Sequence, residues 1–302
     1  MKLMMIISSL LSIGNFLTLS RKSLLAKISN SLSNDMDRSP YLENLGQLSE
    51  RLVSIYGKVN PNAYVADIGA DHGFLAIALS DKCSHVYAIE ISKDAFDVMK
   101  KNIDLFKASS CLHESKISPH LGNGITPLVT NNVECDTIIL SGMGSGTILK
   151  ILEKQFDING SNVVNNILGI KSVITQPWPP NFLSAHKVNK LLLEKSWMIT
   201  SQSICENKSN RFITTKFDFS PHLNCNNQLL SDSEVIESSP LYQFALKDPK
   251  SNEIYLNYLR KEKITIDIKI NGILKFSTSK LDLDNLMILQ NIKSSIDKII
   301  TE

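Results

Sequence analysis

The stretch Ala63–Leu79, AYVADIGADHGFLAIAL, carries residue types that suit a bound ligand better than plain packing. An apolar run closes on Asp67, Gly69 follows two positions on, and Gly73 comes after Asp71 and His72 where a helical pattern resumes. A glycine turn between strand and helix offers backbone N–H groups and admits close approach of a ligand. Dinucleotide enzymes fill this turn with GxGxxG and seat pyrophosphate on the helix end. Here the middle glycine is missing, and Asp71 puts negative charge where phosphate would lie. The turn argues against a dinucleotide and for a ligand with positive charge and no phosphate.

S-adenosylmethionine has that chemistry, since it carries a sulfonium and an ammonium. On this reading Asp67 anchors the amino-acid portion, and Gly69, Asp71 and His72 form the turn against the cofactor. Glu90, closing the run HVYAIEIS with Ile91 beside it, accepts hydrogen bonds from the ribose hydroxyls. An acid at that place also occurs in NAD enzymes, so Glu90 alone does not discriminate. The plain alternative is a helix-capping Asp67 and an incidental Glu90. In HLGNGITPL, Asn123 between Gly122 and Gly124 can read the adenine edge, or simply make a turn.

In SGMGSGTILKIL no Gly-Lys-Ser/Thr follows the glycines at 142, 144 and 146, so a phosphate-loop reading fails. In a methyltransferase, Ser141, Gly142, Met143 and Gly144 would border the space between sulfonium and acceptor. The later VITQPWPP adds Gln176 and Trp178 as substrate contacts. An indole there can stack on a base, worth about 1–3 kcal/mol, or pack against the protein.

The elements that must position these residues alternate. Apolar runs at 63–68, 85–90, 115–121, 136–141 and 171–176 read as strands, with helical patterns between most of them. That order predicts a doubly wound, Rossmann-like α/β sheet with helices on both faces. Residues 196–219 then read as two strands joined by a polar turn around Glu206–Asn210, with no room for a crossover helix. An antiparallel hairpin closing a parallel sheet is how class I methyltransferases finish. The core domain is expected over residues 41–220, a polar linker over 221–239, and a coiled-coil-like helical hairpin over 240–302. Apolar spacings of three and four support the hairpin, although ITIDIKI also alternates as a strand would.

Composition limits the rest. The 302 residues, 43% hydrophobic, can bury one substantial core and a smaller appendage. Five widely spaced cysteines without a CxxC pair predict neither a structural metal nor a disulfide framework. Residues 1–34 contain eight serines, four basic residues and no acid, which reads as a targeting leader for a plastid or mitochondrion. A disordered or docked extension on a cytoplasmic protein is the alternative. Without the leader the count is 28 basic against 30 acidic residues, so no global charge marks the chain as binding nucleic acid. No membrane association of the mature chain is expected, and a monomer is preferred over an oligomer.

Taken in order, VADIGADHGFLAIAL, HLGNGITPL, SGMGSGTILKIL, VITQPWPP and NRFITTKF resemble the bacterial tRNA adenine-N1 methyltransferase family called TrmK, from about Leu48 to the end. SSPLYQFALKDPKSNEIYLNYLRKEK resembles the start of that family's coiled-coil hairpin. The resemblance implies S-adenosylmethionine as donor, N1 of adenine 22 in tRNA as acceptor, and a helical tail that engages tRNA. Ala70, Gly73, Ser145 and Trp178 depart from the family's usual residues near the substrate.

Adenine N1 presents a lone pair at neutral pH, so transfer needs positioning more than proton removal. Methylation leaves the ring cationic. Asp71, with backbone groups of Gly142, Met143 and Gly144, is the candidate to stabilise that charge. His72 can orient the base, or serve as a structural hydrogen-bonding residue. The alternatives kept open are a methyltransferase for another RNA or a small molecule, and a non-catalytic protein that retains the cofactor fold.

Overall fold

Central strands with apolar side chains on both faces require helices above and below, because successive side chains point to opposite sides. The computed structural model describes residues 48–109, 116–156, 169–207, 210–220, 230–238, 249–276 and 280–301. The leader at 1–34 lies outside them. The strands are β1 (Tyr64–Ile68), β2 (His85–Glu90), β3 (Ile117–Leu121), β4 (Thr137–Gly144), β5 (Ser172–Trp178), β6 (Trp197–Asn207) and β7 (Asn210–Phe219). Val65, Ile139 and Ile174 enter one buried cluster, while Ala66, Ile138, Leu140 and Val173 enter the cluster on the opposite face.

The helices before and between them are α1 (Glu50–Lys58), α2 (Phe74–Leu79), α3 (Lys93–Ser109), α4 (Thr126–Thr130), α5 (Ser145–Phe156) and α6 (Phe182–Glu194). The sheet order is β3-β2-β1-β4-β5-β7-β6. Strands β1 to β5 pair in parallel, and β7 runs antiparallel to both β5 and β6. The order reverses between β1 and β4, which opens a crevice beyond their carboxyl ends, the usual ligand position in such sheets.

Three local expectations change. Strand β4 does not stop at 141 but continues to Gly144 beside Trp178, with a shift of register between Ser141 and Gly144. Gly142 has φ +73°, the left-handed conformation that lets a bulge form without strain. The supposed linker holds a packed helix, α7 (Asp232–Glu237). Ser231 and Glu234 close its first turn reciprocally as a capping box, and Val235 and Ile236 are buried. Finally, ITIDIKI is helical inside α8 (Pro249–Phe276). Residues two apart lie on nearly opposite sides of a helix, so Ile266 and Ile270 are buried while Ile264 and Ile268 face solvent.

Helix α8 pairs with α9 (Lys280–Thr301), and Lys263–Asp297 and Lys293–Asp267 ion pairs cross between them. The hairpin is fused to the sheet domain through a shared core. Phe182 and Ala185 of α6 and Ile213 of β7 pack with Tyr255, Tyr258, Leu259 and Ile292. Glu262 accepts the Phe182 N–H at 2.8 Å, tying α8 to the start of α6.

Tyr258 is buried, and among the described residues its hydroxyl has no hydrogen-bond partner. A polar group buried without a partner costs about 1–3 kcal/mol. The substitution Tyr258→Phe removes that group and keeps the ring, so it should raise stability by about 1 kcal/mol. Urea unfolding monitored by circular dichroism checks this, and a lower midpoint would show that the hydroxyl is satisfied.

Candidate active site

Five strand ends and one preceding helix converge on the crevice. At the end of β1, Asp67 is only 2% exposed, yet among the described residues no hydrogen bond reaches its carboxylate. Burial pushes its pKa up to about 7, against the pull of Arg51 and with the repulsion of Glu90. The turn beyond it is held open by backbone geometry. Gly69 has φ +78°, and a Cβ there would come within 2.9 Å of the Met143 side-chain tip. Met143 therefore lies across the turn, linking the ends of β1 and β4.

Glu90, at the end of β2, is the support of that turn. One carboxylate oxygen accepts the Asp71 N–H at 3.0 Å, and the other accepts the N–H groups of Ile91 at 2.8 Å and Ser92 at 2.9 Å. A carboxylate offers about four lone-pair positions, so the expected pair of ribose contacts reduces to one unless the turn yields a bond. Ile91 is 65% exposed and presents an apolar surface next to it. Asn123 is exposed between β3 and α4, and Gly124 follows with φ +59°.

Asp71 itself adopts φ +52° and points outward, where its carboxylate meets His72 Nδ1 at 2.9 Å. The His72 ring stacks on Phe74, which is half exposed. An exposed carboxylate stabilises charge less than a buried one, because water screens it. On the far side, Trp178 is 45% exposed and stacks with Phe212 at 5.9 Å between centroids. Ser141 and Gly144 sit beside Gln176 and Trp178 in the β4–β5 ladder.

Gln176 departs from expectation. It is 1% exposed and turned inward. Its amide nitrogen donates to the Arg51 carbonyl at 3.1 Å, to Ser54 Oγ at 3.2 Å and to Thr214 Oγ1 at 2.7 Å, while its oxygen accepts from Arg51 Nη1 at 3.2 Å. Buried and already bonded at both ends, it holds α1 against β5 and β7 rather than touching a substrate.

Arg51 belongs to none of the glycine turns or strand ends that stand out in the chain. It lies one helical turn before the buried Ile55 on α1, so the same face that packs on the sheet carries its side chain to the strand ends. A Cβ on Gly142 would lie 3.3 Å from Arg51 Nη1, and the guanidinium stands 5.9 Å over the Phe212 ring. Burial lowers its pKa from the ordinary value, and Asp67 is the strongest charge opposing that. A single basic residue in an amphipathic helix gives no spacing signal, which is why the tertiary structure was needed to find it.

Among the described residues, no group of three or more His, Cys, Asp or Glu is placed to hold a metal ion, and no helix is long and apolar enough to cross a membrane.

A doubly wound sheet closed by an antiparallel strand, with acids at the ends of β1 and β2 around a glycine turn, defines a class I methyltransferase architecture. The chain belongs to the family described as "Methyltransferase domain", which matches residues 48–213. Among curated proteins, a probable cobalt-precorrin-6B C(15)-methyltransferase of Methanococcus vannielii is 26% identical over 114 residues, covering 38% of this chain and 58% of that protein. The tRNA (adenine(22)-N(1))-methyltransferase of Bacillus subtilis is 30% identical over 162 residues, covering 53% of this chain and 60% of that protein. The match thus spans less than two thirds of the length of either relative. The solved structure of M. capricolum TrmK with S-adenosyl-homocysteine is similar in fold, with TM-score 0.61 and 23% identity over 84% of this chain and 98% of that one.

Proposed function

We propose that this chain transfers a methyl group from S-adenosylmethionine to N1 of an adenine in tRNA, with adenine 22 as the position. The observation that carries the donor assignment is Asp67, a carboxylate 2% exposed beneath a glycine turn at the sheet's crossover, which no hydrogen bond reaches among the described residues. Such a group needs a cationic donor to offset its desolvation, and the α-ammonium of an amino acid is one. The order of motifs and the B. subtilis relative support the acceptor.

When bound, S-adenosylmethionine supplies an electrophilic methyl carbon. Asp67 accepts from the ammonium, Glu90 from ribose, and Asn123 stands where the adenine edge would be read. Trp178 and His72, both exposed at the rim, orient the incoming base by stacking and hydrogen bonding. No residue has to remove a proton before attack by N1, so orientation carries most of the rate. Asp71 and the carbonyls of Gly142, Met143 and Gly144 offset the positive charge left on the ring.

For tRNA itself, the hairpin carries a net positive charge that residues 41–220 lack. Residues 249–301 hold nine basic and six acidic side chains, net +3. Lys187 and Lys269 line a hollow of about 350 Å³ between α6 and the hairpin. Residues 1–34 direct the chain to a plastid or mitochondrion, which a fluorescent fusion of that segment would test.

The deciding experiment incubates the protein without residues 1–34 with unmodified tRNA transcripts and S-adenosylmethionine. Nucleoside mass spectrometry should find 1-methyladenosine, and reverse transcription should stop at adenine 22. Cofactor binding without methylated tRNA would move the acceptor to another RNA or a small molecule.

A further inference from the structure

Three ammonium groups gather at the end of α1 that lies away from the crevice. Lys58, in its last turn, donates to Ser201 Oγ at 2.8 Å. Ser201 stands opposite Lys216 in the β6–β7 ladder, and Lys216 donates to Asn60 Oδ1 at 2.9 Å, two residues beyond Lys58. Residues paired across a ladder set their side chains on one face, about 5 Å apart at Cβ, so both ammoniums reach the same patch. Lys82, in the turn from α2 to β2, closes the group. Its Nζ donates to the Tyr56 carbonyl at 2.6 Å and lies 4.2 Å from the centre of the Tyr56 ring. Lys216 is buried, and Lys58 and Lys82 are partly buried.

The negative charge nearby does not balance them. Among the described residues, Asp218 is the one acid within 4 Å of any of the three, at 3.8 Å from Lys216, and it already accepts from Ser172 and Thr200. Asp81, next to Lys82, is exposed and forms no ion pair with it. The oxygens of Ser201, Asn60 and Tyr56 accept N–H groups but carry no charge. A helix end amounts to about half a negative charge, so one ammonium complements α1 and three exceed it. Burial first, then repulsion from Lys216, brings the pKa of Lys58 down to about 8. Burial brings Lys82 down to about 8 as well, with Lys216 adding to it against the pull of Cys83.

We propose that this patch is an anion site that takes a doubly charged phosphate group, as inorganic phosphate or a terminal phosphomonoester, between Lys58 and Lys216. Three ammoniums against one carboxylate and about half a charge at the helix end leave more than one positive unit. A dianion matches that excess better than a phosphodiester or chloride. Each ammonium has three N–H groups, and the Ser201 hydroxyl, which accepts from Lys58, keeps its own O–H to donate. Gly57 is exposed, and a Cβ there would meet nothing within 4 Å, so the approach beside Lys58 is open. The site is separate from the crevice: Lys216 pairs with Ile174 near the start of β5, whereas Trp178 ends that strand. It does not depend on which acceptor is methylated.

The test titrates inorganic phosphate into the full chain by calorimetry at pH 8 and constant ionic strength, with chloride as the control. The wild-type protein should bind phosphate and take up protons on binding, because an anion raises the pKa of the lysines that hold it. Two buffers of different ionisation enthalpy read that uptake. Lys58→Gln should weaken phosphate binding on the order of tenfold or more, the range of a hydrogen bond to a charged group. Lys58→Arg should keep the affinity with a smaller proton uptake, since a guanidinium stays charged throughout; it decides the matter if Lys58→Gln does not fold. Absence of phosphate binding, an equal response to chloride, or binding that Lys58→Gln leaves intact overturns the inference. Two tRNA transcripts, with a 5′-monophosphate and with a 5′-hydroxyl, separate the sources. A loss of affinity in Lys58→Gln confined to the phosphorylated transcript assigns a terminal monoester, and no loss with either assigns free phosphate. Equal loss with both overturns the proposal in favour of a backbone contact.

Discussion

Asp67→Asn should lower methyl transfer at limiting cofactor by about a hundredfold or more while making the cofactor-free protein more stable at pH 8. The first effect follows from losing a buried charge opposite an ammonium, which costs about 2–5 kcal/mol and so lowers cofactor affinity by on the order of a hundredfold or more. The second follows from the same burial. Asp67 titrates at about 7 in the folded protein, whereas an aspartate in an unfolded chain titrates near 4. Between those values the folded state holds the proton and the unfolded chain has released it. Stability contributed by this group is therefore greatest in acid and falls as pH rises through that window.

Asparagine carries no charge to desolvate, so thermal unfolding of Asp67→Asn should lose this slope and show a gain of a few kcal/mol at pH 8. Cofactor binding runs the other way. Only the ionised carboxylate pairs with an ammonium, so wild-type affinity should fall about tenfold per unit as pH drops below about 7. Titration calorimetry from pH 5.5 to 8.5 checks it. A wild-type affinity flat across that range, or an unimpaired Asp67→Asn, removes Asp67 from the cofactor site.

The architecture was legible because its signals are local. Val65, Ala66 and Ile68, or Ile138, Ile139 and Leu140, make short apolar runs because both faces of their strands are covered. The absence of helix-length chain between β6 and β7 dictated an antiparallel ending. Helix α7 announced itself in Ser231-Asp-Ser-Glu234, a capping-box spacing that the polar composition around it concealed. The continuation of β4 to Gly144 had no such signal, since a glycine series reads as loop until a neighbouring strand such as β5 pairs with it.

The site divides in the same way. Asp67, Glu90, Asn123 and Trp178 end strands or open turns, places that the order of apolar runs and turn residues already marks in the chain. Gln176 occupies the same kind of place but is buried, and its four hydrogen bonds join residues 38 to 125 positions away. Arg51 depends wholly on that long-range clamp. Contacts of such separation leave no periodic trace in the chain, so a strand-end rule assigns Gln176 to the ligand and passes over Arg51.

Glu90→Gln distinguishes a residue that only touches ribose from one that builds the site. Loss of a single ribose contact would weaken cofactor binding by about tenfold and leave stability unchanged. The structure gives Glu90 a larger part, because both oxygens accept from the main chain of the turn. A glutamine retains one oxygen. If it faces Ile91 and Ser92, its amide N–H groups meet the Asp71 N–H donor to donor; if it faces Asp71, two N–H groups lose their acceptor instead. In either orientation a charge-assisted bond becomes a repulsive contact, and Asp71 loses the anchor that holds it at φ +52°. Glu90→Gln should therefore lower stability by about 2–3 kcal/mol and cofactor affinity by more than about a hundredfold. Asp71→Ala, which removes the outward side chain and keeps the N–H to Glu90, should cost no more than about 1 kcal/mol, because alanine tolerates φ +52° less well than aspartate, and should lower kcat rather than affinity. Urea unfolding and calorimetry on the two variants separate these outcomes, and a fully stable Glu90→Gln would reduce Glu90 to a ligand contact alone.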